Sequence, residues 1–145
     1  MRVTWAVVAS AALLLPSLAQ AQNSRWEVQV RDQLNRAGSF LSDNGYTMTH
    51  ELKTGSLRDD ASEFFSLELD AGKSYAVVGV CDGDCTDMDL QLFSPEGQQM
   101  SSDMKTDDVP IVEAHPTQTA RYRVKVLMAA CTTSPCFYGV GVYGK

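Results

Sequence analysis

The pattern of apolar and polar positions changes character twice along this chain. Residues 7–15 are almost all apolar and follow a short basic start at Arg2. From Trp26 to Leu41 the apolar residues recur every three or four positions, which is the period of one buried helical face. After Gly45 apolar and polar residues alternate in short runs separated by turn residues, which is typical of β-strands. The pattern predicts a leader, one helix and a body of strands.

The leader has the features of a secretory signal peptide. Its apolar run is followed by Pro16 and by Ala19-Gln20-Ala21, small residues at the spacing that signal peptidase recognises. The run is shorter than the ~20 residues that span a bilayer. We therefore assign residues 1–21 to a signal peptide, and we expect a periplasmic or secreted mature chain with no membrane span.

The helix is predicted to begin at a capping box and to end at a glycine. Ser24 and Glu27 have the spacing at which a serine oxygen and a glutamate each pair with a backbone N–H of the first turn. Asn44-Gly45 supplies the stop. The apolar stripe consists of Trp26, Val30, Leu34, Ala37 and Leu41. Such a stripe needs a surface to cover, so residues 22–45 are predicted to pack as one amphipathic helix on the domain that follows.

Residues 46–145 are predicted to form one domain of about eight short strands, an arrangement typical of an antiparallel sandwich or barrel. The predicted strands are 46–53, 63–69, 74–80, 88–93, 98–102, 109–113, 120–128 and 137–143. Turn residues separate them, as at Gly55 and at Asp70-Ala71-Gly72. The fold class expected is mainly β, with one helix in front.

Parts of the strand region resemble the bacterial pre-peptidase C-terminal (PPC) domain. The matching motifs are Gly55-Ser56-Leu57, Phe64 to Leu69, Ala71 to Tyr75, Asp87 to Gly97, and Tyr122 to Val126. The resemblance implies a jelly-roll-like β-sandwich without catalytic residues, of the kind usually appended to secreted proteases, and thus a binding or secretion accessory. The chain departs from the family pattern in its leading helix, its four cysteines and the Ala120-Arg121 pair where the family usually has glycine.

The four cysteines are expected to form two disulfides, since an even number in an exported chain is typical of an oxidising compartment. They are Cys81, Cys85, Cys131 and Cys136. Short loops close easily, which favours the local pairs Cys81 with Cys85 and Cys131 with Cys136. Cross-links between the two loops and a zinc site are the alternatives.

The charge balance indicates which class of partner the chain would bind. Without the leader, the chain has 11 Lys and Arg against 18 Asp and Glu, a net charge of −7. This argues against nucleic acid or an anionic membrane as a partner, because both need clustered cations. A protein or surface ligand, with basic proteins favoured, fits better, and so do metal ions.

Strands of alternating direction would collect the acidic loops at one end of the domain. The loops at residues 58–60, 81–87, 103–108 and 129–136 should share that end, with Asp59 and Asp60 among their acids. The predicted ligand-binding residues are Asp82, Asp84, Asp87, Asp89, Asp103, Asp107 and Asp108. The opposite end keeps ordinary turns.

Calcium is the one cofactor that the acids suggest, since flexible loops of carboxylates are ligands that it prefers. Asp89 is expected to face outward nearly opposite Asp103, and like charges across a strand pair repel. Asp87, Asp89 and Asp103 are therefore candidate calcium ligands. The simpler interpretation is that they are solvated turn acids.

No catalytic motif accompanies these features. His50 and His115 are far apart in sequence, and no nucleophile elbow surrounds any serine. The sequence therefore predicts a non-enzymatic, exported binding or accessory domain that recognises its ligand through an acidic, disulfide-braced end. A calcium-binding module and an undetected hydrolase are the alternatives.

Overall fold

The computed structural model describes residues 18–145, with side chains from Arg25 onward. It contains α1 (Leu18–Ser42), β1 (Thr47–Met48), β2 (Lys53–Leu57), β3 (Ala61–Leu69), β4 (Tyr75–Cys81), β5 (Cys85–Phe93), β6 (Gln99–Asp103), β7 (Ile111–Ala114), β8 (Ala120–Cys131) and β9 (Cys136–Gly144). The strands form two antiparallel sheets. The predicted β-sandwich with one leading helix is confirmed, whereas most of the predicted signal peptide, residues 1–17, lies outside the described residues.

The sheets have the strand orders β2-β9-β4-β7 and β3-β8-β5-β6, with β1 also paired to β9. Neighbouring strands are thus mostly distant in sequence, as in a jelly roll. Met88, Leu90 and Leu92 of β5 are fully buried, which confirms the inward direction predicted for them. They belong to the main core between the sheets.

The predicted first strand, 46–53, is wrong. Within it only β1 and the first residue of β2, Lys53, are strand, and both strands pair with β9. Gly55, predicted as a break, lies within β2 opposite Tyr138. A Cβ atom at Gly55 would lie 2.7 Å from the Tyr138 hydroxyl oxygen, so this glycine permits a close approach and does not form a turn.

Helix α1 covers the outer face of β4 and β9. Val30 and Leu34 are buried there with Ala76, Val78, Val80 and Tyr143, and Trp26, Ala37 and Leu41 pack at the margins. Strand β4 is consequently buried on both faces, which explains its uninterrupted apolar sequence. No helix among the described residues has the length and apolar character needed to cross a membrane.

The helix ends at the predicted stop. The N–H of Tyr46 donates to the carbonyl of Leu41 (3.1 Å), and the N–H of Gly45 donates to that of Ser42 (2.9 Å). Gly45 has a φ of 83°, a conformation that costs glycine little. This is a Schellman motif.

The predicted start of the helix is wrong, because α1 begins at Leu18 and not at the capping box. Ser24 consequently lies within the helix, whereas an N-cap residue must have a non-helical backbone. The preceding residues Leu18 to Gln22 are leucine, alanine and glutamine, which favour helix and extend α1 backward.

Candidate functional site

Four loops meet at one end of the sandwich, and we call this region the acidic end. It comprises residues 58–60, 82–84, 104–110 and 132–135. Backbone hydrogen bonds join the loops to one another and to neighbouring strands. The N–H of Thr132 donates to the carbonyl of Asp84 (2.8 Å), and the N–H of Asp82 donates to the carbonyl of Phe137 (3.0 Å). Met88 in turn donates to the carbonyl of Asp107 at 2.9 Å. The structure thus brings together the loops that strand alternation was expected to gather.

Two local disulfides brace the acidic end. Cys81 is bonded to Cys85 and Cys131 to Cys136, which is the pairing that the short loops favoured. Cys85 and Cys131 are also opposite each other in the ladder between β5 and β8. The two bridges therefore anchor adjacent loops to the same part of the sandwich.

Asp59 and three of the predicted ligand-binding acids are engaged in holding the loops. Four carboxylates accept backbone N–H groups at 2.7–3.1 Å: Asp59 from Cys131, Asp82 from Phe137, Asp103 from Ile111 and Asp107 from Val109. By contrast, Asp60, Asp84 and Asp108 are exposed and have no side-chain bond to a described residue. These three carboxylates are therefore the ones most accessible to a ligand.

Asp89 differs from the expectation of a solvated acid, since only 5% of its surface is exposed. The Oδ1 atoms of Asp87 and Asp89 are both shielded from solvent and have no hydrogen-bond partner. Burial raises the pKa of Asp89, and the neighbouring carboxylates of Asp87, Asp103 and Asp107 raise it further. The cause lies in the tertiary structure, because the loop after β6 runs beside β5 at this point.

The candidate calcium ligands do not form a ready metal site. Nowhere in the part of the chain that the structure describes are three His, Cys, Asp or Glu side chains placed to hold a metal ion. Asp103 lies opposite Leu90, one position from the predicted partner Asp89. Its carboxylate receives the Ile111 N–H and lies 3.6 Å from the Lys105 ammonium. Coordination by these acids would require side-chain movement.

A cavity of about 570 Å³ opens between residues 25–29 of α1 and the two disulfide loops. The rings of Trp26 and Phe137 stack along it, with centroids 4.5 Å apart and planes inclined by 11°. Its polar lining includes Arg25, Asp82 and Asp84. The sequence does not indicate this cavity, because Trp26 fits the apolar stripe of the helix. Trp26 is the first residue of that stripe, one turn before Val30. This terminal place is the signal that could have suggested a position at the edge of the sheet.

Asp82 is the buried carboxylate of this cavity, with 8% of its surface exposed. Its Oδ1 atom has no hydrogen-bond partner. Burial raises the pKa of Asp82 and the charge of Asp84 adds to that effect, while the N–H of Phe137 opposes it. An additional cation beside Asp82 and Asp84 would therefore be favourable.

A serine and a histidine are adjacent at the other end of the sandwich. The Oγ of Ser74 lies 3.0 Å from Nδ1 of exposed His115. Within residues 25–145 no carboxylate hydrogen-bonds to His115, and His50 pairs instead with Thr49 and the carbonyl of Glu68. The described residues thus do not assemble a catalytic triad.

Comparison with known proteins yields little similarity. No protein-family model matches the chain, so its resemblance to the PPC domain stays a prediction. No curated protein matches it either. Among solved structures, the chain is similar to PliG of Aeromonas hydrophila, a periplasmic lysozyme inhibitor of g-type lysozyme, with 14% identity and a TM-score of 0.48. The match covers 66% of this chain and 85% of that one.

Proposed function

We propose that this chain is an exported, non-enzymatic binding protein that recognises a basic protein through the acidic end. The observation that carries the proposal is a set of exposed carboxylates, Asp60, Asp84 and Asp108, on loops braced by disulfides and hydrogen bonds. Loops that are already ordered lose less conformational entropy on binding. The net charge of −7 after the leader would also steer a cationic partner toward the protein.

The proposal predicts that neutralising the exposed acids weakens partner binding. The test variant is Asp60→Asn with Asp84→Asn and Asp108→Asn. The control removes equal charge from exposed sites outside the acidic end through Glu51→Gln, Glu68→Gln and Glu113→Gln. A basic protein captured from the native periplasm or medium should bind the test variant about tenfold more weakly, because three exposed charge pairs each contribute about 0.2–1 kcal/mol. The control should retain the wild-type affinity apart from a small loss of long-range attraction.

Salt provides an independent measurement of the same interface. Added salt should weaken the wild-type complex, since it screens exposed charges. If the test variant and the control bind equally well, the partner uses another surface. Capture of an acidic partner whose affinity is insensitive to salt would also contradict the proposal.

A second candidate function, calcium binding at the acidic end, is favoured by the unpartnered Oδ1 atoms of Asp87 and Asp89. A buried carboxylate oxygen without a partner is costly, and a cation would offset that cost. Calcium prefers such oxygen ligands and tolerates irregular geometry. These residues could bind it only after moving closer together, so the observation supports the candidate without providing a formed site.

Asp89→Asn tests this candidate and the effect of burial together. The folded-state pKa of Asp89 is raised above its unfolded value of about 3.9, so the folded chain holds this proton more tightly. The stability that this proton contributes is present below pH 3.9 and is lost as the pH rises through the raised pKa. Without calcium, the substitution should therefore increase the free energy of unfolding at neutral pH and flatten its decline with pH.

The calcium measurement uses the same proteins. If calcium binds, it should raise the melting temperature of the wild type and of an Asp108→Asn control, but not that of Asp89→Asn. An unchanged wild-type melting temperature in millimolar calcium would eliminate this candidate. Destabilisation by Asp89→Asn at neutral pH would instead show that the charged carboxylate has a favourable partner.

A further inference from the structure

We infer that the cavity between α1 and the disulfide loops is an anchor pocket for a lysine or arginine side chain of the partner. The inference rests on the proposed function, because it names the part of a basic protein that the acidic end would hold. The cavity of about 570 Å³ falls in the range of ligand pockets, about 300–1,000 Å³. One long side chain and its flanking backbone would fit within that volume.

The aromatic wall supplies the first part of the recognition. The parallel stack of Trp26 and Phe137 joins the helix to the start of β9, and both residues line the cavity. A cation within about 6 Å of a tryptophan ring is attracted by the ring's electron-rich face. The methylene groups of lysine or arginine would gain from the same surface.

The carboxylates supply the charge. Asp84 is exposed at the cavity, while Asp82 is buried beside it with an unpartnered oxygen. The two negative charges interact unfavourably, since Asp84 helps to raise the pKa of Asp82. A bound ammonium or guanidinium group would relieve that repulsion and place a positive charge near the unpartnered oxygen. The hydroxyl of Ser134, also in the lining, can accept a further hydrogen bond.

Arg25 is the one basic side chain among the described residues that line the cavity, so its replacement tests the charge of the ligand. It is exposed, and it forms no salt bridge with an acid of the described part. Two carboxylates against one guanidinium make the described part of the lining negative. Arg25 should therefore weaken the binding of a basic ligand, whereas it would strengthen the binding of an acidic one.

The experiment titrates the exported protein with Nα-acetyl-lysine methylamide, and it uses the neutral analogue Nα-acetyl-norleucine methylamide for comparison. Isothermal calorimetry gives affinity, and NMR follows the indole N–H of Trp26, assigned with Trp26→Phe. The lysine probe should shift this resonance. Asp84→Asn should weaken binding about three- to tenfold, and Arg25→Gln should strengthen it about twofold or more.

Glu113→Gln is the matched control. It removes one exposed negative charge from a site outside both the cavity and the acidic end. This variant should bind the lysine probe as the wild type does. Equal weakening by Glu113→Gln and Asp84→Asn would show that the net charge alone attracts the probe. That result would overturn the pocket, while the proposed function would still be judged by capture of the basic partner.

Other results would also overturn the inference. These are no binding of the lysine probe at millimolar concentration, norleucine binding equal to that of lysine, and weaker binding after Arg25→Gln. Binding of N-acetylglucosamine in preference to the lysine probe would assign the aromatic wall to a sugar. Conversely, the pocket could bind the lysine probe while the captured partner binds the triple variant as tightly as the wild type. That result would remove the proposed interface, and the pocket would then hold lysine without anchoring that partner.

Discussion

Gly139→Ala should lower the free energy of unfolding by about 3 kcal/mol, at the upper end of the cost of overpacking a core. Gly139 lies on β9 directly under the helix. A Cβ atom there would lie 2.3 Å from Cγ1 of Val30 and 3.3 Å from Cδ1 of Leu34. These neighbours are themselves buried, so α1 must move away from the sheet or β9 must shift. Denaturant unfolding measures the loss.

Gly83→Ala is the matched control, because a Cβ atom at Gly83 would come no closer than 3.8 Å to the side chain of Gln29. It should change stability by less than about 0.5 kcal/mol. Val30→Ala provides a second test, since it removes the Cγ1 atom that the new methyl group would meet. The double variant Gly139→Ala, Val30→Ala should be less destabilised than the sum of the single changes. Strict additivity would show that the helix does not rest on β9 at this point.

Leu34→Ala should lower the free energy of unfolding by about 2–5 kcal/mol, the range for truncating a buried leucine. Leu34 is 2% exposed and lies at the centre of the contact between α1 and the outer face of the first sheet. Its backbone carbonyl accepts the Tyr143 hydroxyl at 2.9 Å, and the substitution leaves that bond possible. The loss would therefore report on side-chain packing.

Phe40→Ala is the control on the same helix, since Phe40 is 72% exposed. It should change stability by less than about 0.5 kcal/mol despite removing more apolar atoms. Hydrogen exchange should show earlier opening of α1 in Leu34→Ala than in Phe40→Ala. Equal effects of the two substitutions would mean that the helix is peripheral, and the cavity that it helps to form would then lose one of its walls.

The burial of α1 also bears on the acidic end. Trp26 belongs to the same helix, but its ring stacks on Phe137 at the end of the sandwich and is only partly buried. A well-seated helix fixes the position of that ring relative to the disulfide loops. Stability at Leu34 and binding at the cavity should therefore be coupled, although neither Leu34 nor Gly139 contacts the cavity.

Elements with local signals could be predicted from the sequence. The stripe from Trp26 to Leu41 has the period of a helix, and Gly45 ends it because glycine accepts a positive φ. The period-two runs predicted most strands and the inward side of β5, since side chains alternate along a strand. Strand alternation also indicated which loops share an end.

Tertiary structure alone decided how deeply each residue is buried and what it contacts. Asp89 alternates outward as the sequence predicts, but a loop from elsewhere in the chain excludes water from it. Gly55 and Gly139 resemble turn or weak strand residues in sequence, whereas each is required where another side chain approaches the backbone. The cavity joins the helix to two loops more than fifty residues away. Periodicity reports only on neighbouring positions, so it could not place these distant segments together.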